Sequence, residues 1–266
     1  MSKINGKGTA LVTGASAGIG AVYADRLAKR GYDLILVARN GERLNSLADH
    51  LADRTGRTVQ TVVADLNDKG GLARVETILR TNRGITLLVN NAGLGDAAPL
   101  LDADVEKMDE MIRLNVGALT RLTYAAVPGF VARGGGTIVN IASVVAIAPE
   151  LLNGVYGGTK AFVLAFSQSL NHELAAKGVR VQAVLPGATA TEFWDAAGRP
   201  IENLPKEIVM SATDMVDASL LGLDRGETVT IPALADAAQW ESFEAARCAM
   251  SGKLSSAVPA ARYRAA

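Results

Sequence analysis

The sequence predicts an α/β fold built on a parallel sheet, and three observations carry that expectation. Short apolar runs, of the kind that strands buried on both faces require, alternate with longer stretches of helical period. The first apolar run passes through a glycine-rich turn into a helix-like stretch. Several later runs end on small or polar residues, and open parallel sheets place their ligands at strand ends.

Residues 9–13 form the first strand, with Ala10, Leu11 and Val12 at its centre. It leads into Thr13-Gly14-Ala15-Ser16-Ala17-Gly18-Ile19-Gly20 and then a helix over 21–30. Glycines at such a turn let the backbone approach a ligand, and a helix N-terminus presents N–H groups and partial positive charge to a pyrophosphate. The spacing is Gly-x-x-x-Gly-x-Gly, and a plain tight turn remains the alternative reading.

The second strand, 33–38, ends at Arg39, near the position where dinucleotide folds meet the adenosine ribose. An acid there would accept the ribose hydroxyls and repel a 2′-phosphate, whereas a guanidinium attracts that phosphate through a forked, charge-assisted contact. Arg39 therefore favours NADP(H), with NAD(H) still possible, unless it is an ordinary solvated charge.

Leu44, Leu47, Ala48 and Leu51 stripe a helix over 42–54, and 58–64 is the third strand. Asp65 and Leu66 close that strand, either bordering an adenine or, for Asp65, capping the next helix. A helix over 68–83 and a strand over 86–89 follow, ending in Asn90-Asn91-Ala92-Gly93, small enough to leave room beside a cofactor. The tract 105–133 is mostly helical, with a bend or division expected near Pro128. Its Asn115 lies between Leu114 and Val116, so the amide either ties backbone groups together or holds a water.

The apolar run 137–142 puts Ser143 at a strand end, and a helix over 155–177 puts Tyr156 and Lys160 one turn apart on one face. A phenol titrates near pH ~10, and a neighbouring ammonium favours its ionised form. Ser143, Tyr156 and Lys160 thus suit proton transfer at a carbonyl or carbinol, although Tyr-x-x-x-Lys also arises by chance.

A strand over 179–185 ends in Pro186-Gly187-Ala188-Thr189-Ala190-Thr191. Residues 188–212, with Phe193, Trp194, Ile201, Leu204, Ile208 and Met210 among polar positions, read as a cover over a largely apolar substrate or as an interface. A helix over 213–224, a strand over 228–231 and a helix over 237–250 complete the elements, and the mildly basic tail 251–266 reads as loosely ordered or docked on a neighbouring subunit. No linker rich in Gly, Pro or Ser divides the chain, so one domain over 1–266 is expected.

Lys plus Arg and Asp plus Glu number 27 each, so no net field draws the chain toward nucleic acid or an anionic membrane, and a small molecule is the expected ligand. Cys248 is the only cysteine, and His50 and His172 lack partners at metal-ligand spacing. With no apolar run near the ~20 residues of a membrane span, a soluble, cytoplasmic protein is expected.

Taken in order, Gly14-x-x-x-Gly18-Ile19-Gly20, Asn90-Asn91-Ala92-Gly93, Asn115, Ser143, Tyr156-x-x-x-Lys160 and Pro186-Gly187 closely resemble the compact branch of the short-chain dehydrogenase/reductase superfamily. The thirteen-residue separation of Ser143 and Tyr156 matches as well, and the resemblance covers residues 7–231. It implies a doubly wound, Rossmann-like sheet of seven parallel strands with helices on both faces, binding NAD(P) and moving a hydride to or from carbon.

By the same resemblance Tyr156 is the general acid or base, Lys160 lowers its pKa and holds the nicotinamide ribose, Ser143 orients the substrate oxygen, and Asn115 supports a relay water. Gly14, Ser16, Gly18 and Ile19 face the pyrophosphate, Arg39 the 2′-phosphate, and Asp65 and Leu66 the adenine. Asn91 lies along the path to the nicotinamide, with Thr189 and Thr191 near its carboxamide. Ala17 stands where many NADP-preferring relatives carry a basic residue, leaving the discrimination to Arg39. The expected activity is NADP(H)-dependent interconversion of a ketone or aldehyde with an alcohol on a partly apolar molecule, by a homodimer or homotetramer. Reduction of a 3-oxoacyl thioester and non-catalytic NAD(P) sensing are the alternatives.

Overall fold

The computed structural model describes residues 7–264. Where one domain was expected over the whole length, the chain clusters into a main unit ending at Pro232 and a small unit from Ala233 onward. In the small unit a helix, Ala237–Met250, carries no buried residue, and Trp240 stacks on Phe243 along it.

In the main unit β1 (Thr9–Thr13), β2 (Asp33–Ala38), β3 (Val59–Val63), β4 (Ile85–Asn90), β5 (Gly136–Ile141) and β6 (Val179–Val184) appear in chain order. Two short strands follow, β7 (Thr189–Ala190) and β8 (Met210–Ser211), and then β9 (Val229–Thr230). The main sheet has seven strands in the order β3-β2-β1-β4-β5-β6-β9, every pair parallel. Strands β7 and β8 pair with each other and tie together the two ends of the expected cover segment, a connection that local periodicity did not announce.

The strand cores are apolar on both sides because both sides are covered. Ala10, Val12, Leu34 and Leu36 join a core with α1 (Gly18–Lys29), α2 (Gly41–Thr55) and a later helix, Ala212–Asp224. Leu11, Ile35, Val37 and Leu88 face a second core with α3 (Lys69–Thr81), and with the helices Leu119–Ala132 and Gly154–Leu174. Alternate residues of one strand thus feed opposite cores, which is why the runs lack the apolar–polar alternation of a half-exposed sheet.

The expected helix over 105–133 is three pieces: α4 (Val105–Ile112), a π-helical segment Arg113–Ala118 and α5 (Leu119–Ala132). The irregularity falls around Asn115 and not at Pro128, where α5 continues to Ala132. Next, α6 (Gly154–Leu174) ends in a 3-10 turn to Lys177, slightly inside the expected span. Two more helices, α7 (Phe193–Ala196) and α8 (Ala212–Asp224), complete the main unit, and the exposed helix of the small unit is α9.

Candidate active site

Strands β1 and β4 are neighbours from which the chain winds in opposite directions, and open parallel sheets hold their ligands in the crevice outside the carboxyl ends of such a pair. Two side chains join the strand ends there. Thr13 Oγ1 accepts from the backbone N–H groups of Asn91 and Ala92, both at 3.0 Å, and donates to Val89 O. Asn91 Nδ2 returns bonds to the carbonyls of Thr13 (2.9 Å) and Gly14 (3.2 Å).

The glycine turn follows at once. Gly14 and Gly18 adopt φ of 65° and 53°, a region that side chains with a Cβ rarely enter. At Gly14 a Cβ would also meet Asn91 Nδ2 at 2.8 Å, and at Gly20 it would collide with the Gly14 carbonyl. Helix α1 begins inside this turn, with Ala17 as a cap that has no side-chain acceptor and no acid in the first turn. Its first backbone bond runs from Ala21 N to Ala17 O, so earlier N–H groups are left for an anion. Ala15 N bonds Val37 O of β2, which sets the end of β2, with the exposed Arg39, beside the turn. Open donors, absent acids and a guanidinium next door fit the phosphates of a dinucleotide.

Ser143, at the end of β5, donates to Pro186 O (3.4 Å) and accepts from Val145 N (3.3 Å). The Tyr156 phenol lies near enough for the Ser143 hydroxyl to lower its pKa. Asn153 caps α6 by accepting from the N–H groups of Val155 (2.8 Å) and Tyr156 (3.4 Å), while its Nδ2 donates to Ala98 O (2.7 Å). That cap sets the first turn of α6, and hence where Tyr156 points. One turn on, Lys160 Nζ donates to Ile141 O at 2.9 Å and stands 5.7 Å from the Tyr156 ring centroid.

Asn115 is buried and holds Leu94 in both directions, Oδ1 accepting from its N–H and Nδ2 donating to its carbonyl, each at 2.8 Å, with Thr159 Oγ1 a further acceptor. The backbone-tying alternative is therefore realised. Asn115 Oδ1 and Lys160 Nζ also face one small space: they lie 3.2 and 3.6 Å from where a Cβ would stand on Gly93.

Beneath the site, paired residues Asn90 and Asn140 are joined by a buried chain of bonds. Asn90 Nδ2 donates to Asn140 Oδ1 (2.9 Å) and Thr123 Oγ1, Asn140 Nδ2 to Ser167 Oγ (2.9 Å), and Ser167 Oγ to Val163 O. This chain locks β4 and β5 to α5 and α6, the last of which carries Tyr156 and Lys160.

Burial dominates the electrostatics. Removal from water pushes the Tyr156 phenol up to about 12, with the Ser143 hydroxyl acting in the opposite direction. Desolvation is the larger of these two causes, so the phenol lies above its ordinary value. Lys160 is itself pushed down to about 8 by burial.

The cover segment lies over both halves of this arrangement. The Thr191 methyl stands 3.0 Å from where a Cβ on Gly18 would be, and the Phe193 ring rests on the Cα of Gly95, which has no room for a side chain. Phe193 also lies 5.8 Å from the Tyr156 ring, and Trp194 Nε1 anchors the segment on Thr189 O. Met108, Met111, Val145 and Tyr156 form an apolar cluster, with Leu94, Leu152, Val155 and Phe193 packed against it.

Ser143, Tyr156, Lys160 and Asn115 thus converge, as do Gly14, Gly18, Asn91 and Thr191. Ser16 and Ile19 are half-buried in the turn, Ile19 leaning on the core. Thr189 is buried, with its hydroxyl on Gly187 O. Leu66 belongs to the core, and Asp65 accepts from Asn67 N in a local turn, the cap of α3 being Asp68. Sequence reasoning missed Thr13 and Asn153; a Thr ending a strand and an Asn opening a helix were the available signals. Asn140 and Ser167 gave none, since their partners lie 50 and 27 residues away. Among the described residues no helix is long and apolar enough to cross a membrane, and no three His, Cys, Asp or Glu side chains gather to hold a metal ion.

Fold and site together define a dinucleotide-binding α/β oxidoreductase. The short chain dehydrogenase family model matches residues 8–201, and the chain belongs to that family. A short-chain dehydrogenase from Sphingobium yanoikuyae, solved in complex with NADPH, superposes with a TM-score of 0.94 at 49% identity, over 97% of this chain and 100% of that one. The bulky-bulky ketone specific alcohol dehydrogenase from Comamonas testosteroni gives 0.90 at 44% identity, over 97% and 99%. An uncharacterized oxidoreductase from Staphylococcus epidermidis is 34% identical over 220 residues, 80% of this chain and 94% of its own length.

Proposed function

We propose that the protein is an NADP(H)-dependent oxidoreductase that interconverts a ketone or aldehyde with an alcohol on a molecule with a sizeable apolar part. The observation that carries the reading is the meeting of Ser143, Tyr156 and Lys160 beside an anion-ready glycine turn that has Arg39 at its edge. The reduced nicotinamide, when bound, supplies the hydride that the carbonyl carbon accepts.

The chain's own residues manage the oxygen. Ser143 holds it by a hydrogen bond beside the phenol, and Tyr156 gives up its O–H proton as the carbonyl oxygen becomes a hydroxyl. A buried phenol pushed up to about 12 is fully protonated at neutral pH, which suits an acid acting in reduction. Lys160 keeps a positive charge near the proton that leaves, and the space it shares with Asn115 beside Gly93 suits a water that restores that proton. The apolar cluster around Tyr156, closed by Phe193, favours a substrate with hydrocarbon bulk near the carbonyl. The Comamonas relative's bulky-bulky ketone specificity supports the same substrate class. Exposed Ile112, Tyr124 and Phe162 along α4, α5 and α6 support assembly as a homodimer or homotetramer, and a monomeric mass by light scattering would refute that part.

The test begins with NADPH and NADH affinities by calorimetry, followed by nicotinamide absorbance with aryl ketones and 3-oxoacyl thioesters. The reading requires tighter NADPH binding, together with ketone turnover that Tyr156→Phe lowers by about 10²–10⁴-fold at nearly unchanged NADPH affinity. Binding of neither nucleotide would overturn it. Binding without turnover would favour the sensing alternative, and preference for the thioesters would favour the acyl one.

A further inference from the structure

Three consecutive residues of the cover segment reach three different parts of the crevice. Thr191 lies on Gly18 of the glycine turn, and Phe193 lies on Gly95 and against Tyr156. Between them Glu192 turns outward, and its Oε2 accepts from Arg43 Nη1 at 2.7 Å, across 149 residues of sequence. Arg43 sits in the first turn of α2, where Asn40 Oδ1 caps the helix by accepting from the Arg43 N–H at 3.0 Å. That turn starts two residues after Arg39, at the end of β2 that the Ala15–Val37 bond holds against the glycine turn.

An adenosine 2′-phosphate read by Arg39 would therefore arrive at the N-terminus of α2, with the Arg43 guanidinium within the same first turn. A phosphate with up to two negative charges and forked geometry competes well against one exposed carboxylate, and the Arg43–Glu192 pair is open to water on both sides, at 53% and 67% exposure.

Resting on the NADP(H) reading above, we propose that Arg43 is a second reader of the 2′-phosphate and that Glu192 is its competitor, so the two set how strongly the protein prefers NADPH over NADH. When the phosphate takes Arg43, Glu192 loses its only ion-pair partner among the described residues, and the Thr191–Phe193 stretch is freed at the end next to Tyr156. NADH carries no such phosphate and leaves the latch in place. The cofactor's adenosine end is thereby linked to the residue covering the catalytic phenol, through one ion pair and one peptide unit.

The test is a double-mutant cycle on the full-length protein, with NADPH and NADH dissociation constants measured for wild type, Glu192→Gln, Arg43→Met and the double variant. Glu192→Gln should tighten NADPH by about two- to fivefold, because a competing acceptor and a repelling charge are both removed, and leave NADH unchanged. Arg43→Met should weaken NADPH by about tenfold, again sparing NADH. In the double variant the benefit of Glu192→Gln should vanish. Adenosine 2′,5′-bisphosphate, which has the phosphate but no nicotinamide, should shift Trp194 emission in a Trp240→Phe background, whereas AMP should not.

An equal effect of Glu192→Gln on both nucleotides, or one that survives Arg43→Met, would overturn the proposal. So would Trp194 emission that responds alike to the two adenosine probes. Preference for NADPH that Arg39→Asp reverses and Arg43→Met leaves untouched would also overturn it while leaving the NADP(H) reading intact. Failure of the wild type to bind either nucleotide would instead sink that underlying reading.

Discussion

Replacing Lys160 by methionine should isolate what it costs to bury the ammonium beneath the active site. The side chain is 7% exposed, and burial alone brings it from its ordinary 10.5 down to about 8. In the unfolded chain it stays protonated up to about pH 10.4, so between about pH 8 and 10.4 the unfolded state binds a proton that the native state does not. Stability must therefore rise with pH across that window, by about 1.4 kcal/mol per pH unit and about 3 kcal/mol in all. Below pH 8 both states are protonated and the full penalty is present. Tyr156, raised by burial, acts with the opposite sign, because only the unfolded phenol ionises between about 10 and 12. The clean interval is thus pH 8 to 10. Urea unfolding of the cofactor-free protein at several pH values should give a wild-type stability that climbs through this interval relative to Lys160→Met. At pH 7 the variant should be the more stable, by about 3 kcal/mol less the about 1–3 kcal/mol lost with the bond to Ile141 O. Parallel pH profiles for the two proteins would refute the reasoning, since they would mean that the folded environment does not disfavour the charge.

Asn140→Ala should cost about 2–3 kcal/mol in urea unfolding, because it leaves Asn90 Nδ2 without one of its acceptors and strips Ser167 Oγ of its donor in a site closed to water. Asn153→Ala should lose about 1 kcal/mol of stability through the uncapped α6, and should lower kcat more than it raises KM, because the turn that aims Tyr156 loosens. Arg39→Asp should invert the ratio of NADPH to NADH dissociation constants by about 10²-fold, read by calorimetry, since attraction for the 2′-phosphate becomes repulsion.

The αβ alternation was legible because the central strands are buried on both faces, so their apolar runs are continuous, and the helices packed on the sheet bury one stripe at their own period. Gly14 and Gly18 were legible for a similar reason: positive φ is a local demand that glycine meets at least cost. The order of Asn115, Ser143, Tyr156 and Lys160 could be recognised without coordinates, and α9 was placed to the residue. Pro128 misled because a proline's local penalty was weighed without the surrounding packing, whereas the wide turn lies at 113–118, where Asn115 bonds Leu94 and Thr159.

By itself, then, the sequence determined the parallel α/β class and the glycine turn, since each follows from residue type and short-range spacing, whereas Ser143, Tyr156 and Lys160 were singled out by the family resemblance of the motifs taken in order. Only the tertiary structure decided that Thr13 and Asn91 weld the two strand ends, that Asn153 aims Tyr156, that Asn140 ties β5 to α6, and that Arg43 meets Glu192. Most of those contacts join residues far apart in the chain, and the titration of Tyr156 depends on how much water the assembled fold excludes, a quantity that no local pattern of residues encodes.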